Sequence, residues 1–175
     1  MRLSDNLILV GPMGAGKTTV GRVLARLQKK NFIDLDSEIE RRCGADISWI
    51  FDVEGESGFR DRESAVLSEL CRRSDLVLAT GGGAVLRPEN RTLLATSGYV
   101  IYLSVSADEL YERTRNDSNR PLLQVKNRRE VIENLLSERE PLYREVADLV
   151  YTGKHQNPRQ AAEEIARQIN AASAL

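Results

Sequence analysis

Short apolar runs alternate with amphipathic stretches along the whole chain. Five runs are too short for helices, and several are rich in β-branched or aromatic residues, so they predict strands at residues 7–10, 32–35, 76–79, 99–103 and 149–151. Between them, helical spacing predicts helices at residues 18–28, 37–42, 47–73 (with a break near Gly55), 88–96, 107–115, 128–146 and 158–171. Strands that alternate with helices predict an α/β fold whose parallel sheet is covered on both faces.

Two segments interrupt this alternation. Residues 45–73 form a long helical insert, and residues 116–127, "NDSNRPLLQVKN", are polar at both ends and carry a proline. Long loops in compact domains commonly have a function. We therefore expect the second segment to be a mobile lid.

Composition narrows the class of protein. The chain has 175 residues, 41% of them hydrophobic and 29% charged, which is typical of one soluble globular domain. Its 20 arginines are balanced by 26 acidic residues, and no basic block marks a nucleic-acid binder. No apolar run approaches the roughly 18 residues of a membrane span. Two cysteines and one histidine suggest neither a disulfide framework nor a metal cluster, so we expect a cytoplasmic protein, and a monomer by default.

The first chemical motif follows the first predicted strand. Gly11, Gly16, Lys17 and Thr18 in "GPMGAGKTTVGR" fill the pattern G-x-x-x-x-G-K-[ST], which binds nucleotide phosphates through backbone N–H groups and a helix N-terminus. Lys17 would reach the β- and γ-phosphates and Thr18 would hold Mg²⁺. The motif leaves open whether the phosphate is hydrolysed in a switch, transferred to another molecule or only bound.

Two carboxylates, Asp34 and Asp36, follow the second predicted strand. The period of a strand would place both on one face, at the sheet edge where ligands of open α/β sheets bind. One carboxylate would then hold the water shell of Mg²⁺, while the other orients a hydroxyl acceptor. Alternatively, Asp36 caps a helix that begins at Ser37. A carboxylate that is surrounded by cationic side chains should have a low pKa. We therefore expect Asp36 to orient the acceptor hydroxyl and to accept its proton late in the phosphoryl transfer.

A glycine triplet and three arginines complete the candidate residues. Glycines 81–83 follow the third strand and indicate a backbone pressed against a ligand, with a flexible loop as the alternative. The D-x-x-G motif typical of a hydrolytic switch does not follow this strand. Arg60 can pair with Glu63 one helical turn on. Arg120 lies in the expected lid, and Arg139 lies just before Pro141, which should kink or interrupt its helix.

These pieces together resemble the shikimate kinases, a family of nucleoside-monophosphate-kinase-like P-loop proteins. The matching segments are "GPMGAGKTTVGR", "DLDSEIE", "IFDVEGESGFRDRE", "TGGGAV", "NRPLL" and "EREPLYREVAD", in the family's order and over nearly the whole chain. The resemblance implies a three-layer α/β/α fold with a five-stranded parallel sheet in the order 2-3-1-4-5. It implies one kinase domain over residues 1–175, a substrate-binding insert at about 37–73 and a lid at about 114–127. The implied reaction is the phosphorylation of the 3-hydroxyl of shikimate by ATP and Mg²⁺, a step of chorismate and aromatic amino-acid biosynthesis.

The resemblance also assigns roles by motif. The positions that match shikimate-binding residues of the family are Asp36 (close to the reacting hydroxyl), Arg60, Gly82 and Arg139. The positions that match ATP-binding residues are Gly14, Ala15, Gly16, Lys17, Thr18, Thr19, Arg113 (packed on adenine) and Arg120. Lys17 and Arg120 would contact the transferred phosphate, so with Asp36 they are the expected catalytic residues. Thr18 and, through water, Asp34 would hold Mg²⁺, and the adenine loop falls near residues 154–156.

Two alternatives remain on the residues alone. Arg60 and Arg139 would serve a carboxylate or a phosphate about equally well, so the acceptor could be gluconate or a nucleoside monophosphate. A nucleotide-binding regulator is the second alternative, although intact Lys17, Thr18 and Asp36 argue against a decayed active site.

Overall fold

The structure is a computed structural model that describes residues 5–116, 123, 125–153 and 157–173. Strands and helices alternate along the chain as the apolar pattern predicts. In chain order they are β1 (Leu7–Val10), α1 (Lys17–Gln28), β2 (Asn31–Asp34), α2 (Leu35–Cys43), α3 (Ile47–Leu70), β3 (Leu76–Ala79), α4 (Pro88–Ser97), β4 (Tyr99–Leu103), α5 (Ala107–Thr114), α6 (Arg128–Val146), β5 (Leu149–Tyr151) and α7 (Pro158–Ser173).

The five strands form one parallel sheet in the order β2-β3-β1-β4-β5, as expected. β1 lies at the centre, between β3 and β4. Parallel strands align their carboxyl ends at one edge of the sheet. The chain segments that follow β2, β3 and β1 therefore emerge side by side.

Alternate residues of β1 divide the hydrophobic core into two layers. Ile8 and Val10 pack against α2, α3, α4 and α6 on one face. Leu7 and Leu9 pack against α1 and α7 on the other face. Both faces of the sheet are thus covered, which explains why the strands read as continuous apolar runs. The result is the three-layer α/β/α arrangement.

The insert contains a helix with a sharp bend. Gly55 has φ 71° and ψ 178° inside α3, so the predicted break is confirmed. Two contacts bridge the bend: the rings of Phe51 and Phe59 lie 4.9 Å apart, and Arg62 Nη2 lies 2.6 Å from Glu54 Oε1. Glycine meets the positive φ without strain. Most of the buried residues of α3 lie in its second half, after the bend.

The expected interruption at Pro141 is wrong, because α6 runs without a break from Arg128 to Val146. Proline removes one N–H from the helical ladder. Tyr143 and Val146, beyond the proline, are both buried in the core layer beside α3. Their packing holds the last turns of the helix in place.

In the described ranges, no helix combines the length and the apolar character that crossing a membrane requires.

Candidate active site

Three segments meet at the carboxyl edge of the sheet and enclose a cleft of about 340 Å³. They are the glycine-rich loop after β1, the start of α2 after β2 and the glycine turn after β3. The lining residues are Met13, Gly14, Gly16, Lys17, Thr18, Thr19, Asp34, Asp36, Thr80, Gly81 and Gly82. The sheet order therefore brings together the phosphate loop, both aspartates and the glycine turn, which lie far apart in the sequence.

The loop after β1 is shaped by glycines and by one buried lysine. Gly14 and Gly16 have φ 83° and 92°, a left-handed conformation that glycine adopts freely. Lys17 is buried, and its Nζ donates to the carbonyls of Gly11 and Pro12 at 2.7 and 2.8 Å. The N-cap residue of α1 is Gly16, which has no side chain that could cap the helix. The N–H groups of the first turn and the positive end of the helix form an anion site beside the ammonium group.

The two aspartates after β2 do not share a strand face, so that expectation is wrong. The strand ends at Asp34, and Asp36 already lies in the first turn of α2. Asp34, not Asp36, is the N-cap, because its Oδ1 accepts from the N–H of Ser37 at 3.0 Å. Its Oδ2 accepts from the hydroxyl of Thr18 at 2.5 Å. Asp34 thus joins the start of α2 to the phosphate loop.

The pKa of Asp36 is shifted in the direction opposite to the expected one. Burial, the charge of Glu63 and the charge of Asp34 raise the pKa of Asp36 from 3.8 to about 6. Lys17 and Arg60 act in the other direction but do not prevail. The expectation of a low pKa therefore fails, because the carboxyl group is shielded from water beside two other carboxylates. Near neutral pH, this carboxyl group is a stronger base than an ordinary aspartate.

Arg60 is held on the second half of α3 by a buried ion pair, as the sequence predicts. Its Nη1 donates to Oε1 of Glu63 at 2.9 Å, and Glu63 is fully buried. Its Nη2 lies 3.2 Å from the exposed carboxylate of Glu56, and the guanidinium carbon lies 5.1 Å from the centre of the Phe59 ring. These contacts fix the guanidinium group in one orientation.

The glycine turn after β3 serves the side chains of the site. A β-carbon at Gly83 would lie 2.2 Å from Nη2 of Arg60, and one at Gly81 would lie 2.8 Å from Oδ1 of Asp36. Both distances are shorter than contact distance, so larger residues would displace these groups. The flexible-loop alternative is not needed, since close approach explains Gly81 and Gly83. The approaching groups, however, are side chains of the protein itself.

Gly82 lies where the phosphate loop meets α6. Its β-carbon position is 3.1 Å from the backbone nitrogen of Met13 and 3.6 Å from Nη1 of Arg139. Its carbonyl accepts a hydrogen bond from the hydroxyl of Tyr143 at 2.5 Å. The buried Arg139 thus lies next to the glycine turn that lines the cleft. The sequence analysis missed Tyr143, although its position one helical turn after Arg139 places both on one helix face.

A second cavity of about 220 Å³ lies on the other side of the phosphate loop. Its lining includes Ala15, Thr19, Arg113, Tyr151 and Pro158. Nη1 of Arg113 donates to the carbonyls of Gly14 and Ala15 at 3.4 and 3.3 Å. Arg113 therefore spans the phosphate loop and this cavity. Arg120 and residues 154–156 lie outside the described residues.

Unpartnered polar atoms concentrate around the cleft. Among the described residues, four buried atoms of this region have no hydrogen-bond partner: Asp36 Oδ1, Arg60 Nε, Glu63 Oε2 and Arg139 Nε. Leaving a buried polar group unpaired costs about 1–3 kcal/mol. A carboxyl group in the cleft and two buried guanidinium groups beside the glycine turn suit a small polar ligand that carries both a negative charge and hydroxyl groups.

The fold and the cleft define a P-loop kinase that phosphorylates a small molecule. Its nucleotide loop lies in a cleft that two aspartates and a lysine also line, and the D-x-x-G motif typical of a hydrolytic switch does not follow β3. The model of the shikimate kinase family matches residues 13–170. The chain belongs to the shikimate kinase family.

Individual relatives agree with this assignment. A shikimate kinase of Aromatoleum aromaticum is 59% identical over 152 residues, which cover 87% of each chain. A shikimate kinase of Pseudomonas paraeruginosa is 55% identical over 160 residues, 91% of this chain and 93% of the relative. The solved structure of a shikimate kinase from Acinetobacter baumannii in complex with shikimate is 50% identical, with a TM-score of 0.94. That match covers 98% of this chain and 96% of the other.

Proposed function

We propose that this protein transfers the γ-phosphoryl group of ATP to the 3-hydroxyl group of shikimate, a step toward chorismate and the aromatic amino acids. The observation that carries the proposal is the set of buried, unpartnered polar atoms of Asp36 in the cleft and of Arg60 and Arg139 beside the glycine turn. Shikimate has a carboxylate and three hydroxyl groups, which match these donors and acceptors. The A. baumannii relative was solved with shikimate bound.

The acceptor is held by its charge and by its hydroxyl groups. Arg60 and Arg139 grip the carboxylate through forked hydrogen bonds, which favours a planar anion over other ligands. Gly82 lies next to Arg139 and offers backbone groups to the acceptor. Asp36 receives the hydroxyl group that reacts. Burial of both arginines strengthens these contacts by excluding water.

The nucleotide side is built for phosphate and for a hard cation. Lys17 and the N-terminus of α1 bind the phosphate chain of ATP, while Arg113 packs against adenine in the second cavity. The hydroxyl of Thr18, with Asp34 acting through water, fits the oxygen ligands that Mg²⁺ requires. Bound Mg²⁺ supplies charge neutralisation on the phosphates.

The transfer step needs orientation more than a strong base. Asp36 aligns the 3-hydroxyl oxygen with the γ-phosphorus and takes its proton as the new O–P bond forms. The bond from the γ-phosphorus to the bridging oxygen breaks, and ADP leaves. Asp36→Asn should lose most turnover while the affinity for ATP stays unchanged, and near-wild-type turnover would refute this role.

The expected lid supplies the last cation. Arg120 would reach the transferred phosphate once the acceptor is bound, so that water does not consume the phosphoryl group. We expect Arg120→Ala to lower kcat more than it weakens shikimate binding. A change in KM alone would show that Arg120 only holds the ground state.

A coupled ADP-release assay tests the function directly. Mg-ATP is supplied with shikimate, gluconate, AMP or no acceptor. We expect rapid ADP release with shikimate and little without an acceptor. Release with gluconate or AMP would keep the kinase but discard the substrate, and tight ATP binding without turnover would favour the regulator. Size-exclusion chromatography of the same sample tests the expected monomer, and cell fractionation tests the cytoplasmic location.

A further inference from the structure

We propose that Tyr143 is a positioning residue for the acceptor side of the site: its hydroxyl group fixes the Gly82 peptide, and with it Arg139, in the arrangement that receives shikimate. This inference rests on the proposed function. Tyr143 is not among the residues that line the cleft or the second cavity, so its role is exerted through its neighbours.

The Tyr143 side chain is itself firmly held. It is fully buried, and its ring lies 5.1 Å from the ring of Tyr102, with the planes inclined by 30°. Tyr102 belongs to the sheet strand β4, next to the strand that carries the phosphate loop. A ring packed in this way has one available orientation, so the direction of its hydroxyl oxygen is set by the core.

The hydroxyl group of Tyr143 restrains a glycine-rich backbone that could otherwise adopt many conformations. It donates to the carbonyl of Gly82 in the middle of three consecutive glycines, where no β-carbon restricts the backbone dihedrals. Burial holds the pKa of Tyr143 well above its usual range, so the proton needed for this bond is retained. Because the peptide is planar and trans, fixing the Gly82 carbonyl also turns the N–H of Gly83 to the opposite side.

The bond between Gly82 and Tyr143 should affect the acceptor side of the site more than the ATP side. The β-carbon position of Gly82 is 3.6 Å from Nη1 of Arg139, and the charge of Arg139 lowers the pKa of Tyr143 against the larger effect of burial. The turn and the arginine therefore both lie close to this one hydroxyl group. The phosphate loop has a separate support, because Nζ of Lys17 donates to two carbonyl groups of the loop. Loss of the hydroxyl should weaken acceptor binding more than ATP binding.

The test compares two variants that each remove one hydroxyl from the same stacked pair. Tyr143→Phe deletes the bond to Gly82 and keeps the ring. Tyr102→Phe is the matched control, since the Tyr102 hydroxyl is buried without a hydrogen-bond partner among the described residues. Steady-state ADP release gives KM for shikimate and KM for ATP separately. KM is independent of the fraction of protein that is folded, so the KM values of a less stable variant can still be compared with those of the wild type.

We expect Tyr143→Phe to raise KM for shikimate about fivefold to tenfold, the effect of one hydrogen bond on an oriented group. KM for ATP should change less than about twofold, and Tyr102→Phe should leave both constants unchanged. In an Arg139→Lys background, the effect of Tyr143→Phe should shrink, because the two side chains act together.

Three results overturn the inference. Unchanged KM values in Tyr143→Phe would show that the bond to Gly82 has no role in binding. An equal rise of both KM values, or the same rise in Tyr102→Phe, would show a general effect of core packing. A wild-type protein that releases no ADP with shikimate would overturn the proposed function as well, and that result is distinct from an active wild type with an unaffected variant.

Discussion

The raised pKa of Asp36 leads to a prediction about stability. At neutral pH the half-buried carboxylate of Asp36 lies beside Glu63 and Asp34, and burial together with these two charges raises its pKa from 3.8 to about 6. Replacing Asp36 with asparagine keeps the shape and removes the charge. The variant should therefore be more stable than the wild type even if, as the proposed function requires, it loses activity.

The magnitude and the sign follow from proton linkage. Well below pH 3.8, the carboxyl group of Asp36 is protonated in both the folded and the unfolded chain and contributes no difference. Between about pH 4 and 6 the unfolded chain releases the proton first, so wild-type stability falls as the pH rises. Well above pH 6 the group is ionised in both states and the penalty is complete. A shift of about two pH units corresponds to about 3 kcal/mol, at 1.36 kcal/mol per unit.

The measurement is urea denaturation of the protein without nucleotide or metal, at several pH values from 5 to 8. We expect Asp36→Asn to raise the free energy of unfolding by up to about 3 kcal/mol at pH 8, with the gain shrinking toward pH 5. Asp52→Asn is the control, because Asp52 is an exposed aspartate on α3. If Asp36→Asn is no more stable than the wild type at pH 8, or if its gain does not depend on pH, the reasoning is refuted.

Further predictions concern the glycine turn and the core. Gly83→Ala should raise KM for shikimate by about tenfold or more and spare KM for ATP, because its β-carbon would meet the Arg60 guanidinium group. Gly44→Ala is its control: Gly44 has φ 70° and open space, so we expect lower stability with unchanged KM values, and a matching KM rise would contradict the argument. Asn6→Ala should lower the free energy of unfolding by about 2–3 kcal/mol, since buried Asn6 bonds the N–H of Leu76 at 3.0 Å. Denaturation and steady-state kinetics check this, and a large kinetic change would count against a purely structural role.

The strands were predictable because buried parallel strands carry unbroken apolar runs. The bounds of β1, β3, β4 and β5 match the predictions, and so do those of α6. The error at β2 has a physical cause: Leu35 is fully buried whether it ends a strand or begins a helix. An apolar pattern cannot separate these two cases. The cap by Asp34 decides between them, and it depends on backbone geometry.

The site was predictable where the spacing along a helix determines a contact. Arg60 and Glu63 are three residues apart and pair as expected. The pKa of Asp36 was not predictable, because it depends on the distance to Glu63, which lies far away in the sequence. Tyr143 was missed because an aromatic residue on an amphipathic helix is usually a core residue. Its hydroxyl partner, Gly82, belongs to a distant turn.

The carboxylate of Asp34 makes two separate hydrogen bonds. Oδ1 caps α2 by accepting from Ser37, and Oδ2 accepts from Thr18 in the phosphate loop. Loss of such a cap costs about 1 kcal/mol, and in a cell a deficit of 1–2 kcal/mol can change protein abundance several-fold. A substitution at Asp34 would therefore reduce flux through the reaction in two ways. It would lower the activity of each enzyme molecule, and it would lower the number of folded molecules in the cell. Genetic screens that score growth would exaggerate the chemical importance of this residue.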